Sequence, residues 1–238
     1  MGKIGFGTVF IRRNIPLNKK IKLFSSFGAN AIELDFLTTT QLNEFKLTSE
    51  MIADIKRFDY VSIHAPYQEL RYKPDTNTEK IIEKIIQLRE CLPIQGIVLH
   101  PDITDDFKYL ENSGLPFLIE NMDNKKDFGK TPEHFRELIN ECSMGFVFDA
   151  QHAYENDPTM KSGIEIISIM GDRLKEMHVS GQTKTEMHYP IHASDNRQEI
   201  QKILKLGIDV PKILEVSLVD DIRETALKEL KFIRKYEK

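Results

Sequence analysis

The stretch VFDAQHAY, residues 147–154, ends a run of apolar residues with Asp149 and places His152 three positions further along the chain. A buried strand that finishes in a carboxylate has two interpretations. Either Asp149 caps the helix that follows, or both side chains face a cleft and bind something there. The surrounding chain decides between these interpretations, because the same pattern recurs on both sides of this stretch.

Seven other short apolar runs accompany this one, and amphipathic segments separate them. The runs are nearly continuous in apolar residues, which is typical of strands buried on both faces of a parallel sheet. The predicted strands are 3–10, 31–36, 60–65, 96–100, 116–121, 145–150, 174–180 and 212–217. The predicted helices include 77–92, 131–142, 197–207 and 220–238.

Eight strands that alternate with helices in 238 residues predict an α/β fold, a single (βα)8 TIM barrel that forms one domain, 1–238. The alternative is an open, doubly wound sheet. Such a sheet usually carries a glycine-rich phosphate loop after its first strand. Here the glycines of GFGTVF, residues 5–10, lie inside a strand-like run, so the pattern favours the barrel.

Composition limits the class of protein and its partners. The net charge of −4 gives no general basic bias towards nucleic acid. Cys91 and Cys142 form no CxxC pair and no disulfide framework, which fits a reducing cytoplasm. The sequence shows neither a signal peptide nor an apolar run of the roughly 20 residues that a membrane helix needs. We therefore expect a soluble cytoplasmic protein without a membrane partner.

Carboxylates and imidazoles collect at the C-terminal ends of the predicted strands, where barrel enzymes carry out their chemistry. Five of the seven histidines fall at these ends or in the loop after the seventh strand. The candidate residues are Glu33, Asp35, His64, His100, Glu120, Asp149, His152, His178, Glu186, His188 and Glu215. Burying several carboxylates together without a counter-charge is costly.

Divalent metal ions supply that counter-charge. Imidazole and carboxylate are ligands of zinc, and of manganese or iron where oxygen donors dominate. We therefore interpret Asp149 and His152 as metal ligands rather than as a helix cap, because the neighbouring strands deliver the same chemistry to the same rim.

A series of short motifs gives the chain a family resemblance. HAPY (64–67), LHP (99–101), IEN (119–121), DAQHA (149–153), HVS (178–180), EMHYP (186–190) and LEV (214–216) follow one another along the chain. In this order they resemble the endonuclease IV and xylose isomerase-like superfamily of TIM barrels, also called AP endonuclease family 2, over about residues 4–217.

The resemblance to endonuclease IV implies up to three zinc ions. It implies that His64, His100 and Glu120 surround the first ion, that Glu120, Asp149, His178 and Glu215 hold the second, and that His152, Glu186 and His188 hold the third. Glu186 departs from the aspartate of the family and lies closer to His178, so His192 remains an alternative to His188. Tyr67 resembles a family tyrosine that enters the DNA minor groove.

Two chemistries remain open. The first is phosphodiester hydrolysis at abasic sites in DNA, in which clustered cations stabilise charge and an extruded abasic nucleotide fits the barrel mouth. A basic rim of Arg12, Arg13, Arg71 and Lys73 would contact phosphates, whereas Lys125, Lys126 and Lys130 are interpreted first as solvated surface. The complete ligand set favours this hypothesis.

The second chemistry is a sugar or sugar-phosphate isomerase or epimerase that uses one metal ion, with manganese as a possible cofactor. The superfamily resemblance places that ion among Glu120, Asp149, His178 and Glu215, with strand-end acids such as Glu120 and Glu215 shuttling a substrate proton. Glu33 would then face the substrate. A barrel that binds a ligand without catalysis is a third class, against which the intact ligand set argues.

Overall fold

Eight parallel strands close into a barrel in the order in which they follow along the chain. The computed structural model describes residues 2–11, 14–218 and 221–237. The strands are β1 Ile4–Gly7, β2 Ala31–Asp35, β3 Tyr60–His64, β4 Ile94–Leu99, β5 Phe117–Glu120, β6 Gly145–Asp149, β7 Leu174–Val179 and β8 Lys212–Leu214. The prediction of a (βα)8 barrel is therefore confirmed, and an open doubly wound sheet is ruled out.

Helices follow the strands and form the outer layer of the barrel. They are α1 Leu17–Ser26, α2 Thr39–Glu44, α3 Ser49–Ile55, α4 Thr76–Cys91, α5 Phe107–Glu111, α6 Pro132–Glu141, α7 Ala150–Asn156, α8 Lys161–Met170, α9 Arg197–Leu204 and α10 Ile222–Arg234. Within the described ranges, no helix combines the length and hydrophobicity that crossing a membrane requires.

The four helices named from the sequence correspond to α4, α6, α9 and α10, and all four begin near polar caps or charged turns. The side chains of Asp75 and Thr131, for example, each accept a hydrogen bond from the backbone N–H three residues later. Four of the six helices that the sequence analysis left unnamed have only five to seven residues. Six or seven residues, as in α2 and α3, show too little periodicity to stand out from their loops.

The first strand is shorter than predicted. It ends at Gly7, and Thr8–Phe10 form a 3-10 turn. Asp35 causes this early end, because its Oδ2 accepts hydrogen bonds of 2.9 Å from both the Thr8 hydroxyl and the Val9 N–H. These bonds draw the backbone away from the ladder and bring Val9 to the mouth of the barrel.

Successive side chains of each strand alternate between the inside of the barrel and the layer between the sheet and the helices, and this alternation produces two separate cores. Ile32 and Leu34 of β2 join the large apolar core between the sheet and the helices. Ala31 packs inside the barrel with Tyr60 and Ile213. The inner side of the strands therefore carries small and polar residues as well as apolar ones, and its upper end leads to the mouth.

Gly5 allows β1 and β2 to approach each other. It pairs with Ala31 in the parallel ladder, and a Cβ atom at position 5 would lie only 1.6 Å from the Ala31 carbonyl oxygen. No side chain can occupy that space unless the strands separate. The requirement explains a glycine within a strand, a position that glycine normally weakens.

We predict that Gly5→Ala lowers the free energy of unfolding by about 3 kcal/mol, at the upper end of the cost of overpacking. Urea unfolding measures this change. Gly114→Ala is the matched control, because position 114 has open space and costs only about 1 kcal/mol for its positive φ of 69°. Equal losses in the two variants would contradict the steric explanation.

Candidate metal centre

Glu120 lies at the centre of the mouth, at the end of β5, and is buried. Its Oε2 atom lies 3.4 Å from His64 Nε2 and 3.3 Å from His100 Nε2. Its Oε1 atom lies 3.0 Å from His178 Nδ1. The two oxygens of one carboxylate thus face two different sets of imidazoles.

Two groups of side chains meet through Glu120. In each group one potential ligand atom per residue lies within 4.8 Å of the others. The first group is His64, His100 and Glu120, and the second is Glu120, Asp149, His178 and Glu215. These side chains converge because the C-terminal ends of β3 to β8 form one rim of the closed barrel.

The chemistry of these groups fits divalent metal ions. Glu120 Oε2, Asp149 Oδ2 and His100 Nδ1 are buried and have no hydrogen-bond partner among the described residues. Leaving such atoms unpaired is costly. The 3.3–3.4 Å separations between donors match the spacing of about 3.3 Å expected for two ligands about 2.0–2.1 Å from a tetrahedral zinc ion. The structure therefore contains side-chain clusters able to hold a metal.

Burial and neighbouring charges shift the protonation of these groups. Burial opposes the charged form of His64, but Glu120 and Glu33 outweigh it and raise the pKa of His64 to about 9. Burial would raise the pKa of Glu120, yet His178 and His100 hold it well below the usual range of a carboxyl group. A metal ion must displace such imidazole protons, so metal binding releases protons.

Asp149 has two roles, so the expectation that it is not a cap is wrong. Its Oδ1 atom accepts a 2.6 Å hydrogen bond from the His152 N–H and caps α7. Its Oδ2 atom has no hydrogen-bond partner among the described residues, and Asp149 belongs to the second group of side chains. Capping the helix therefore occupies one carboxylate oxygen and leaves the other without a hydrogen bond to a described residue.

Asn121 positions both Asp149 and His152, and the sequence analysis did not identify it as a site residue. Its side chain accepts a 2.7 Å hydrogen bond from the Asp149 N–H and donates a 2.9 Å bond to the Asp149 carbonyl. Its own carbonyl lies 2.9 Å from His152 Nδ1. The IEN motif contained the signal, since the asparagine directly follows a predicted ligand.

The third predicted set is only partly assembled. His152 and His188 both line the cleft, with ring centroids 6.0 Å apart. Glu186 is exposed, does not line the cleft, and belongs to none of the candidate metal groups among the described residues. Asp123 does line the cleft and was missed, although it lies only three residues after Glu120.

His192, the alternative to His188, faces away from the centre. Its Nδ1 atom lies 2.6 Å from Oε1 of Glu229, a fully buried carboxylate on α10. Glu229 also accepts hydrogen bonds from the backbone N–H groups of Ile191 and His192. This pairing fixes the loop against α10, and His192 is not among the described residues that line the cleft.

The two predicted substrate-binding residues lie in different places. Tyr67 lines the cleft and stacks on His100, with ring centroids 4.6 Å apart. Glu33 has no exposed surface and lies below the mouth, where its Oε2 accepts a hydrogen bond from Ser62. It therefore does not face the cleft, and Asp35 provides the carboxylate of β2 there instead.

The two residues of the predicted basic rim that the structure describes, Arg71 and Lys73, each lie beside a carboxylate. Arg71 forms an ion pair with Asp105, and Lys73 lies 4.0 Å from Asp75. Arg12 and Arg13 lie outside the described residues. Lys125 and Lys130 hydrogen-bond to the Met187 sulfur and the Asn124 carbonyl, respectively.

Lys126 is the lysine of this loop that lines the cleft, where it pairs with Asp102 at 2.9 Å. The cleft that these residues surround has a volume of about 190 Å³.

We predict that Asp149→Asn separates the two roles of this residue. Asparagine caps helices as well as aspartate does, so the free energy of unfolding of the metal-free protein should change by less than about 1 kcal/mol. Zinc affinity, measured by chelator competition, should fall at least about 100-fold, because even groups that only support a ligand change affinity about 10–100-fold. Asp75→Asn, at the cap of α4, should leave zinc affinity unchanged.

Solved structures with the same fold include enzymes of different kinds. A D-tagatose 3-epimerase-like protein is 18% identical, with a TM-score of 0.69 over 98% of this chain and 96% of that chain. Endonuclease IV from Thermus thermophilus is 15% identical, with a TM-score of 0.69 over 98% of both chains. An AP endonuclease of family 2 from Brucella melitensis is 13% identical, with a TM-score of 0.69 over the full length of both. At these identities the likeness shows the fold alone.

The sequence comparisons identify the family. No curated protein matches the sequence. The family model of the xylose isomerase-like TIM barrel, AP endonuclease family 2, matches residues 21–236. The motif order along the strands had indicated this family, and the match confirms it. The chain belongs to the family of xylose isomerase-like TIM barrels.

Proposed function

We propose that the protein is a metal-dependent phosphodiesterase of the endonuclease IV type, which hydrolyses the DNA backbone at abasic sites. The observation that carries the proposal is the division of Glu120 between two ligand groups. One carboxylate oxygen lies near His64 and His100, and the other near His178. This arrangement suits a bridging ligand between two cations, whereas a single-metal enzyme needs only the second group.

Each side chain has a defined task in this proposal. The first group would hold one divalent cation and the second group another, with zinc as the expected metal. When bound, such a pair of cations supplies activation of water and stabilisation of charge on the attacking and leaving oxygens of a phosphodiester. Asn121 and the α7 cap hold Asp149 and His152 at the rim, so that their positions need little adjustment on binding.

The shape of the cleft fits an extruded nucleotide. A volume of about 190 Å³ admits one abasic sugar with its phosphate, but not stacked bases. A cleft of this size would suit a nucleotide turned out of the duplex. Tyr67, packed on His100 at the edge of the cleft, would lie against the sugar.

A sugar isomerase or epimerase is the second candidate, and the pairing of the basic residues favours it. Arg71, Lys73 and Lys126 are each within 4.0 Å of a carboxylate, so they offer little free charge for a DNA backbone. The second ligand group alone would hold one cation, with Glu120 and Glu215 as the acids beside the reacting carbon.

We predict that His64→Ala lowers cleavage of an oligonucleotide duplex with a single abasic site by at least about 100-fold, because it removes a ligand of the first cation. Removal of metal with a chelator should abolish cleavage, and added zinc should restore it. His134→Ala is the control, since His134 lies on α6 outside both ligand groups. Its activity should equal that of the parent.

The metal content separates the two candidates. Two or three zinc ions per chain, by elemental mass spectrometry, together with abasic-site cleavage would support the phosphodiesterase. One ion per chain, no cleavage by the parent, and exchange of a sugar C–H proton with deuterated water would overturn it in favour of the isomerase. In that case Glu215→Gln should abolish the exchange and His64→Ala should largely retain it.

A further inference from the structure

A layer of polar side chains lies directly beneath the metal centre, inside the barrel. Glu33, Ser62, Glu176 and His178 have no exposed surface, and Tyr60 is almost fully buried. The Tyr60 hydroxyl donates a 2.6 Å hydrogen bond to Glu176 Oε2. The Ser62 hydroxyl lies 3.1 Å from both Glu33 Oε2 and Glu176 Oε1. Apart from His178, this layer contributes no side chain to the two groups that meet through Glu120, although Glu33 also lies close to Asp35 and Glu215.

His178 connects this layer to the centre through its two ring nitrogens. Nδ1 points up to Glu120 and Glu215, at 3.0 and 3.2 Å. Nε2 points down to Glu176 and Glu33, at 3.3 and 3.4 Å. A neutral imidazole carries its proton on one nitrogen and a lone pair on the other. Nδ1 can therefore bind a cation only when the proton is on Nε2, and a buried N–H needs an acceptor.

Glu176 is the acceptor whose position is fixed. The Tyr60 hydroxyl holds one of its oxygens, which leaves Oε1 directed at His178 and Ser62. Gly96 provides the space for this contact, because a Cβ atom there would lie 2.7 Å from the Tyr60 hydroxyl. His178 Nε2 and Glu33 Oε1 both lack a hydrogen-bond partner among the described residues, so Nε2 lies 3.3 Å from Glu176 Oε1 without a formed hydrogen bond. Glu33 has no anchor comparable to the Tyr60 hydroxyl that holds Glu176.

We propose that Glu176, oriented by Tyr60, is a positioning residue that accepts the Nε2–H of His178 and thereby presents Nδ1 as a metal ligand. The inference rests on the metal centre of the proposed function, but not on whether the substrate is DNA or a sugar. A carboxylate behind a histidine ligand fixes the ring and makes the ligating nitrogen more basic.

A cation between Glu33, Glu176 and His178 is the competing explanation of this layer, since these residues also lie close enough to share one. Such a cation would compete for the Nε2 proton, and His178 would have to lose both ring protons to bind an ion on each side. A hydrogen bond from Nε2 to Glu176 does not require that double loss of protons.

The test compares zinc affinity and the state of the His178 ring in two variants of the full chain. Glu176→Met removes the acceptor at similar length, and Glu176→Gln keeps an acceptor but removes the charge. Competition with a chromophoric chelator should show zinc binding about 10–100-fold weaker in Glu176→Met and about tenfold weaker in Glu176→Gln. In ¹⁵N-histidine NMR of the zinc-loaded parent, the Nε2–H of His178 should be protected from exchange, and Glu176→Met should lose that protection.

Glu229→Gln is the matched control. Glu229 is also fully buried and pairs with a histidine, His192, but on the outside of the barrel. This variant should keep parental zinc affinity and the parental His178 signal. Tyr60→Phe removes the hydroxyl that anchors Glu176. It should weaken zinc binding about threefold to tenfold, which is no more than the loss expected in Glu176→Met.

The outcomes distinguish the failure of this inference from the failure of the metal centre. Parental zinc affinity and a protected Nε2–H in Glu176→Met would overturn the role of Glu176 alone. If that variant does not fold, parental affinity in both Glu176→Gln and Tyr60→Phe would overturn it equally. Failure of the parent to bind zinc would overturn the metal centre and this inference with it. Absence of an Nε2–H signal from His178 in the zinc-loaded parent, together with loss of one bound ion in Glu176→Gln, would favour the buried cation instead.

Discussion

The mutual compensation of charge around Glu120 is the interaction on which the mouth of this barrel depends. A buried carboxylate is tolerated there because His64, His100 and His178 approach it from three strands. The same closeness makes the cluster suited to cations, which would replace the imidazole protons. Every other feature of the mouth supports this balance: Asn121 holds Asp149, and the layer below holds His178.

One rim of side chains would serve either of the two proposed chemistries. The group of Glu120, Asp149, His178 and Glu215 would hold a single cation, and the addition of His64 and His100 would extend the site to two. The phosphodiesterase and the isomerase therefore differ in whether His64 and His100 act as metal ligands, and in whether DNA or a sugar enters the mouth of the barrel. Ion pairs around the mouth reduce the charge available for a nucleic acid, whereas the shared carboxylate favours phosphodiester chemistry.

The residues predicted to come together do so where the strands of the barrel determine their positions. Residues that end a strand, such as His64, Glu120 and Asp149, meet because parallel strands in a barrel deliver their C-terminal ends to one rim. Glu186 and His192 lie in the long connection between β7 and α9, where no such rule applies. Contacts distant in sequence set the path of that loop, including Glu229 on α10 with His192 and Asn196 with Gln182.

The sequence by itself determined the barrel and the chemistry of its mouth, because continuous apolar strands that end in carboxylate or imidazole have few other ways to be buried. Only the tertiary structure decided which atom does what. Asp149 uses one oxygen as a cap and has no hydrogen bond to a described residue at the other, and Glu33 lies inside the barrel rather than in the cleft. These outcomes depend on strand register and on partners far apart along the chain, as with Tyr60 and Glu176. A single sequence does not encode those distances locally, so only the closed barrel fixes them.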